Sequence, residues 1–307
     1  MITIPPYLKK GDTIGIICPS GYMPYEKAVM AIETLTEWGF NALPGKTLGN
    51  QFNYFSGTDS DRAADLQKML DNDNVKAIFC ARGGYGMGRI IDQINFKRFR
   101  KHPKWIIGFS DITVLQTHLL SRYKIASLHA PMAAAFNDGE SGNEYICSLH
   151  NALLGRKANY TAAGDDYNRS GKASGMLAGG NLSLLAHLIG TKSDIKTKDK
   201  ILFIEDVGEY IYNVDRMMYQ LKRSGKLKDL AGLIVGRFTE PKDTVIPFGQ
   251  DTEEVIRDIV KEYNYPVCFN FPVSHDKENY ALKIGVHYKL AVSETMTHLK
   301  ELSEKKS

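Results

Sequence analysis

The first half of the chain predicts an open, mostly parallel, doubly wound α/β sheet. Short apolar runs without polar alternation, the pattern of strands buried on both faces, recur at Asp12 to Cys18, Val75 to Cys80 and Trp105 to Phe109. Between them lie segments with apolar residues at helical spacing, so strand and helix alternate along the chain. The length of 307 residues exceeds what a single core usually supports, which predicts a second domain.

Asp12 to Cys18 closes at Pro19-Ser20-Gly21, and the next helix carries Ala28, Ile32, Leu35 and Trp38 on one face. Gly39 ends that helix and Phe40 to Leu43 starts a second strand. Asp59 to Leu70 is a helix with Ala63, Leu66 and Leu70 inward, and Val75 to Cys80 is the third strand. The fourth, Trp105 to Phe109, stops at Ser110, after which Val114, Leu115, Leu119 and Leu120 recur at helical spacing. From Gly155 to Gly175 the chain turns polar and loop-like. Residues 1–155 are therefore expected to form one domain, 156–175 a linker and 176–307 a second domain. In that last part Gly179-Gly180-Asn181 opens a helical segment, Leu182 to Ile189, and Asp215 to Leu221 and Asp251 to Tyr263 read as further helices. Ile201 to Ile204 and Leu230 to Val235 read as buried strands, Val267 to Asn270 and Tyr280 to Ala291 as extended runs. Glu301 to Ser307 is expected to fray.

Composition removes several classes of function. With 43% hydrophobic and 24% charged residues the chain is ordinary for a globular protein, and a formal charge of +4 is mild. No Lys/Arg block is long or interleaved with aromatics, so no nucleic-acid partner is expected. No run approaches eighteen apolar residues and Met1 to Lys10 lacks the apolar core of a secretory signal, so a cytoplasmic protein without membrane contact is expected. Cys18, Cys80, Cys147 and Cys268 are far apart, with neither metal-ligand nor disulfide spacing, and are expected to be buried thiols.

Ser110 is the first candidate functional residue. A strand-to-helix turn lifts its apex residue out of the sheet, with its hydroxyl exposed and helix N–H groups nearby, a geometry that suits a nucleophile. Serine and aspartate are also favoured helix caps, so Ser110-Asp111 has a structural reading too. The second stretch is Ala81-Arg82-Gly83-Gly84-Tyr85-Gly86-Met87-Gly88. A glycine-rich turn of this kind could cradle phosphate, but it has no G-x-G-x-x-G register, and the lysine and hydroxyl of a phosphate loop are missing. Glycine also lets the main chain approach a substrate and aim an N–H at a developing oxyanion. The third is Glu205-Asp206-Val207-Gly208-Glu209, where three acids in five residues read first as a solvated turn, although a carboxylate at a strand end could also orient a histidine. Among histidines, His275 stands in a polar connection at a strand end and His129 is its competitor, whereas His118 and His187 fall inside helical patterns as packing residues.

Together these stretches supply a nucleophile, an acid and a base in the order serine, acid, histidine. The turn Gly108-Phe109-Ser110-Asp111-Ile112 has isoleucine where the G-x-S-x-G elbow of α/β-hydrolases needs its second glycine, which disfavours that fold. With the blocks G-D-T-I-G-I-I-C-P-S, A-R-G-G-Y-G, G-F-S-D-I-T, L-H-A-P-M, G-G-N-L-S-L-L, I-E-D-V-G-E and S-H-D in one order, nearly the whole chain resembles the LD-carboxypeptidases. That family includes murein tetrapeptide carboxypeptidases and the related microcin C immunity peptidases. Ala130 and Ser274 stand where the family often has glycine.

The resemblance implies an N-terminal flavodoxin-like domain bearing a serine nucleophile at Ser110. It also implies a smaller, β-rich C-terminal domain bearing the acid Glu205 and the base His275. Oxyanion donors would be the N–H groups of Asp111 and Gly84, the latter preferred to Gly83. Arg82, Gly83 and Tyr85 are the candidate substrate contacts on the glycine turn, with Arg82 the nearest positive partner for a substrate carboxylate and, equally, a candidate structural residue. The implied activity is metal-independent and cofactor-free release of a terminal D-alanine from murein tetrapeptides by cleavage of an L-D bond, in a homodimer serving peptidoglycan recycling. The alternatives are an immunity-like peptidase acting on acyl-aminoacyl nucleotides and an inactive binding module.

Overall fold

The computed structural model describes residues 1–138 and 143–303, and the chain divides into two compact units: Met1–Arg156 with Tyr280–Lys283, and Lys157–Asn279 with Ile284–Ser307. The strands in chain order are β1 (Thr13–Ile17), β2 (Asn41–Pro44), β3 (Val75–Cys80), β4 (Trp105–Ile107), β5 (Ser127–His129), β6 (Asn159–Ala163), β7 (Gly171–Asn181), β8 (Lys200–Val207), β9 (Gly232–Thr239), β10 (Val267–Phe271), β11 (Leu282–Ile284), β12 (His287–Val292) and β13 (Met296–Glu301). The α-helices are α1 (Val29–Glu37), α2 (Asp59–Asp71), α3 (Met87–Ile90), α4 (Lys97–Lys101), α5 (Thr113–His118), α6 (Glu144–Leu153), α7 (Leu182–His187), α8 (Ile211–Arg223) and α9 (Thr252–Val260).

The first unit is built on a sheet of order β2-β1-β3-β4-β5-β11, in which the strands from β2 to β5 are all parallel. Parallel neighbours need crossovers, and α1, α2, α3 with α4, and α5 supply them in turn. The chain steps from β1 outward to β2, then crosses back over β1 to β3. The strand order therefore reverses between β1 and β3, and the carboxyl ends of strands at such a reversal are where ligands of doubly wound sheets bind. Ile14, Ile16, Phe79, Trp105, Ile107 and Leu128 pack on one face against Ala28, Ala31, Leu35 and Phe136. Trp105 also stacks on Tyr7 with ring centroids 5.7 Å apart. Before α2, Thr58 and Asp61 form a reciprocal capping box that satisfies two N–H groups at the helix start. The fourth strand is shorter than its apolar run because Gly108, at φ 151°, turns the chain out of the sheet.

The second unit holds a mixed sheet of order β10-β9-β8-β7-β12-β13-β6. β7 to β10 are parallel, whereas β12, β13 and β6 join antiparallel on the other side of β7. The expected linker 156–175 instead contains β6 and the beginning of β7, and from Lys157 on it belongs to the second unit. It reads as loop because these strands expose alternate residues, which are polar. Gly179-Gly180-Asn181 ends β7 and opens α7, as expected: Asn181 is the last residue of the strand and the N-cap of the helix. At Gly179 the main chain runs so close to β8 that a Cβ would lie 1.9 Å from the Phe203 carbonyl oxygen. The run Tyr280 to Ala291 is broken at Gly285, φ 90°, into strands of two different sheets. Glu301 does not fray, since it closes β13 and its N–H and carboxylate both bond the main chain of Ala158. Residues 304–307 of that expected tail lie outside the described residues. Cys18, Cys80 and Cys268 are buried, but Cys147 is exposed because it lies on the outer face of α6. Among the described residues no helix is long and apolar enough to cross a membrane.

Phe79, fully buried in β3, should be a stability determinant of the first unit. Phe79→Ala is expected to lower unfolding free energy by about 3–5 kcal/mol. The two tryptophans, Trp38 and Trp105, both lie in that unit, so urea denaturation followed by tryptophan fluorescence reads the loss directly.

Candidate active site

Ser110 begins the 3-10 turn that follows β4 and adopts φ 61°, a left-handed conformation that a non-glycine side chain rarely accepts. Such strain costs on the order of 1–3 kcal/mol and persists only where surrounding contacts hold it. Gly83 is one of those contacts. A Cβ on it would stand 2.9 Å from Ser110 Cβ, 3.1 Å from Ser110 Oγ and 3.3 Å from Asp111 N, so only glycine fits between the turn and the serine. The Gly83 carbonyl accepts from Gly21 N–H at 2.9 Å. Across a trans peptide the Gly84 N–H points to the side opposite that carbonyl, away from Gly21. Gly84 itself, at φ 92°, faces Tyr54, whose hydroxyl would be 3.0 Å from an added Cβ.

Asp111 is 3% exposed, and its Oδ2 accepts from Ser20 Oγ at 2.5 Å and from Met87 N–H at 2.7 Å. Burial pushes its carboxyl above the ordinary range, while those two hydrogen bonds and the Arg62 charge pull the other way. Arg82 and Tyr85 project from the glycine turn into solvent, Tyr85 at 53% exposure. His129 is buried at the end of β5 against the Phe109 ring, 5.5 Å away between centroids. His118 packs between Phe96 and Tyr123, whereas His187, expected to pack, is exposed on α7 because it falls on the outward face of a short helix.

In the second unit the structure brings Glu205 and His275 together: Glu205 Oε2 lies 2.6 Å from His275 Nδ1. Glu205 is fully buried inside β8, so the acidic stretch is not a solvated turn. β8 pairs Ile204 with Val235 and Asp206 with Phe238, so β9 carries one extra residue opposite Glu205. β10 shifts its register against β9 between Cys268 and Phe271, just before the loop that carries His275. Bulges of this kind re-aim side chains beside sites. Asp206, the next residue, points to the opposite face, accepts from Asn181 Nδ2 and Ser183 N–H at 2.8 Å each, and is pushed up to about 6 by burial and by the Glu205 charge. Glu209 is spent elsewhere, accepting from Asn213 in α8. Buried Ser274 accepts from Asp276 N–H at 3.0 Å and donates to the Glu278 carbonyl at 2.9 Å, which folds the loop around His275.

Burial lowers the His275 pKa, but the Glu205 charge and hydrogen bond, with Asp206 and Asp276 adding, outweigh it, and the net shift is upward. Glu205 and His275 belong to one unit, and Ser110, Gly83 and Asp111 to the other. No group of three or more His, Cys, Asp or Glu able to hold a metal occurs among the described residues. The sequence names Asp206 and Ser274 only as neighbours of Glu205 and His275, and its local pattern does not single out Ser20 or Arg62. Arg62 could have been noticed, because it shares the inward face of α2 with Leu66 and Met69.

Family models for the LD-carboxypeptidase N-terminal domain and the LD-carboxypeptidase C-terminal domain match residues 14–130 and 174–290. The chain is 37% identical over 284 residues to the probable murein peptide carboxypeptidase of Bacillus subtilis, covering 92% of this chain and 89% of that protein. It is 27% identical over 323 residues to the microcin C7 self-immunity protein of Escherichia coli, covering 93% and 91%. The solved muramoyltetrapeptide carboxypeptidase from Oxalobacter formigenes shares the two-domain fold with a TM-score of 0.86 at 28% identity, over 95% of this chain and 99% of that one.

The electrostatics of the Glu205–His275 pair give a direct test. In an NMR titration of the imidazole nitrogens, His275 should change protonation above the ordinary histidine value of about 6.5. Glu205→Gln removes the charge that stabilises the imidazolium but leaves the burial, so the midpoint should move to lower pH; an unmoved midpoint would refute the assignment.

Proposed function

The chain belongs to the LD-carboxypeptidase family, and from that premise we propose that it is a cytoplasmic, homodimeric serine peptidase that releases the terminal D-alanine of murein tetrapeptides by hydrolysing an L-D bond, in peptidoglycan recycling. The observation that carries this reading is the 2.6 Å contact between buried Glu205 and His275. A carboxylate on Nδ1 fixes the imidazole tautomer and leaves Nε2 to act as base. In this reading Ser110 Oγ attacks the carbonyl carbon and His275 takes its proton. The same proton then passes to the leaving amine, and D-alanine departs from an acyl-enzyme that water resolves by the reverse proton route. The N–H groups of Asp111 and Gly84 would hold the oxyanion, each worth about 3 kcal/mol in comparable sites. Arg82, exposed on the glycine turn, supplies a positive partner for a substrate carboxylate, with Gly83 and Tyr85 lining the same turn.

Similarity to the microcin C7 self-immunity protein supports a second reading, a peptidase acting on an acyl-aminoacyl nucleotide with the same residues. The two are separated by substrate. Mass spectrometry of a muramoyl tetrapeptide ending in D-alanine, incubated with EDTA, should show loss of one D-alanine with the wild type and none with Ser110→Ala. Loss from the nucleotide-linked substrate alone would favour the second reading. Turnover of neither would leave a binding module.

Ser110→Ala and His275→Ala should each lower kcat by roughly four to six orders of magnitude, and Glu205→Gln by less. Gly83→Ala should abolish turnover in a folded protein, because the added methyl occupies the space beside Ser110 Oγ; steady-state kinetics with a thermal melt checks both halves.

A further inference from the structure

The Gly86–Met87 peptide is gripped from both sides. Its carbonyl accepts from Arg62 Nη1 at 3.1 Å, and its N–H donates to Asp111 Oδ2 at 2.7 Å. The Pro19–Ser20 pair is held by the same two side chains: Arg62 Nη1 donates to the Pro19 carbonyl at 2.7 Å, and Ser20 Oγ donates to Asp111 Oδ2 at 2.5 Å. One cation and one anion thus bind the same two turns, the first after β1 and the second after β3. Arg62 and Ser20 are 0% exposed and Asp111 3%. Charges are buried at high cost unless hydrogen bonds compensate them, and here Asp111 is compensated by groups of these turns. Gly21 N–H to the Gly83 carbonyl ties the turns to each other directly. Asp111 adjoins Ser110, so its carboxylate connects the turn that carries the serine to both of them.

We propose that the Asp111 side chain is a positioning residue for the hydrolysis: together with Arg62 and Ser20 it fixes the glycine turn, and so the Gly84 N–H, at the distance from Ser110 that an oxyanion requires. This rests on the reading of Ser110 as nucleophile. Oxyanion donors act through geometry set before the reaction, and a displacement of about 1 Å can cost about 100-fold. The carboxylate itself touches no reacting atom.

The test compares the wild type with Asp111→Ala, Asp111→Asn and Ser20→Ala. Readouts are kcat and KM on the tetrapeptide, inhibition by a peptidyl boronate that becomes a tetrahedral anion on serine, and calorimetric binding of the product tripeptide. Asp111→Ala should lower kcat by about 100-fold with KM within about twofold, weaken the boronate by a similar factor and leave tripeptide binding unchanged. Asp111→Asn, which keeps an acceptor oxygen, should recover part of the loss. Ser20→Ala removes one hydroxyl and should show the same split at about tenfold, which keeps the inference testable if Asp111→Ala does not fold. Unchanged kcat in these variants, or equal loss of boronate and tripeptide binding, would overturn the positioning role and leave the hydrolase reading standing. A wild type that turns over neither the tetrapeptide nor the nucleotide-linked substrate would strike the hydrolase reading, and this inference with it.

Discussion

A parallel sheet wound in both directions must reverse somewhere, and in the first unit the linked turns after β1, β3 and β4 gather at that reversal and beside it. Crossovers leaving β1 in one direction and arriving at β3 from the other cannot cover the ends of both strands, and ligands of such sheets bind there. Short turns follow each strand, and polar groups tie them together: Ser20 and Gly21 after β1, Gly83 to Met87 after β3, Ser110 and Asp111 after β4. The serine's left-handed backbone is tolerated because its neighbours leave it little else to do. Strain and the proposed nucleophile fall on the same residue.

The second unit meets a different constraint, the placing of two adjacent acids inside one buried strand. Alternation along β8 sends Glu205 and Asp206 to opposite faces, which gives each a separate partner and keeps the two carboxylates from competing for it. Asp206 is spent on the junction between β7 and α7, where Asn181 caps the helix. Glu205 is left for a histidine. Neither acid would be affordable in a strand without these partners, since an unpaired buried carboxylate protonates or unfolds its surroundings.

Those contrasts explain what could be read from residues alone. β1, β3 and β4 were legible because strands buried on both faces must be almost wholly apolar, and Ser110 because it stands where such a run stops. Local pattern could not reveal β7, whose small residues and glycines serve close strand packing and carry little strand propensity. The acids of β8 looked solvated because the bulge that re-aims them lies in β9 and because His275, the partner of Glu205, stands seventy residues away, so neither shows in the acidic stretch itself. Arg62 was hidden by the habit of assigning every charge on an amphipathic helix to solvent. Motif order across the whole chain succeeded where each short stretch was ambiguous, because it integrates contacts that are remote in sequence.

The edge strand β11 belongs to the first sheet yet is drawn from residues 282–284, far beyond the rest of that unit. During synthesis the five parallel strands can therefore assemble while β5 still presents an uncovered edge, and it stays uncovered until more than a hundred further residues have emerged. An exposed strand edge is a template for pairing with other chains. The nascent protein consequently passes through a long interval in which its first unit is nearly complete but open to association, and a fragment ending near residue 156 would be held in that interval permanently.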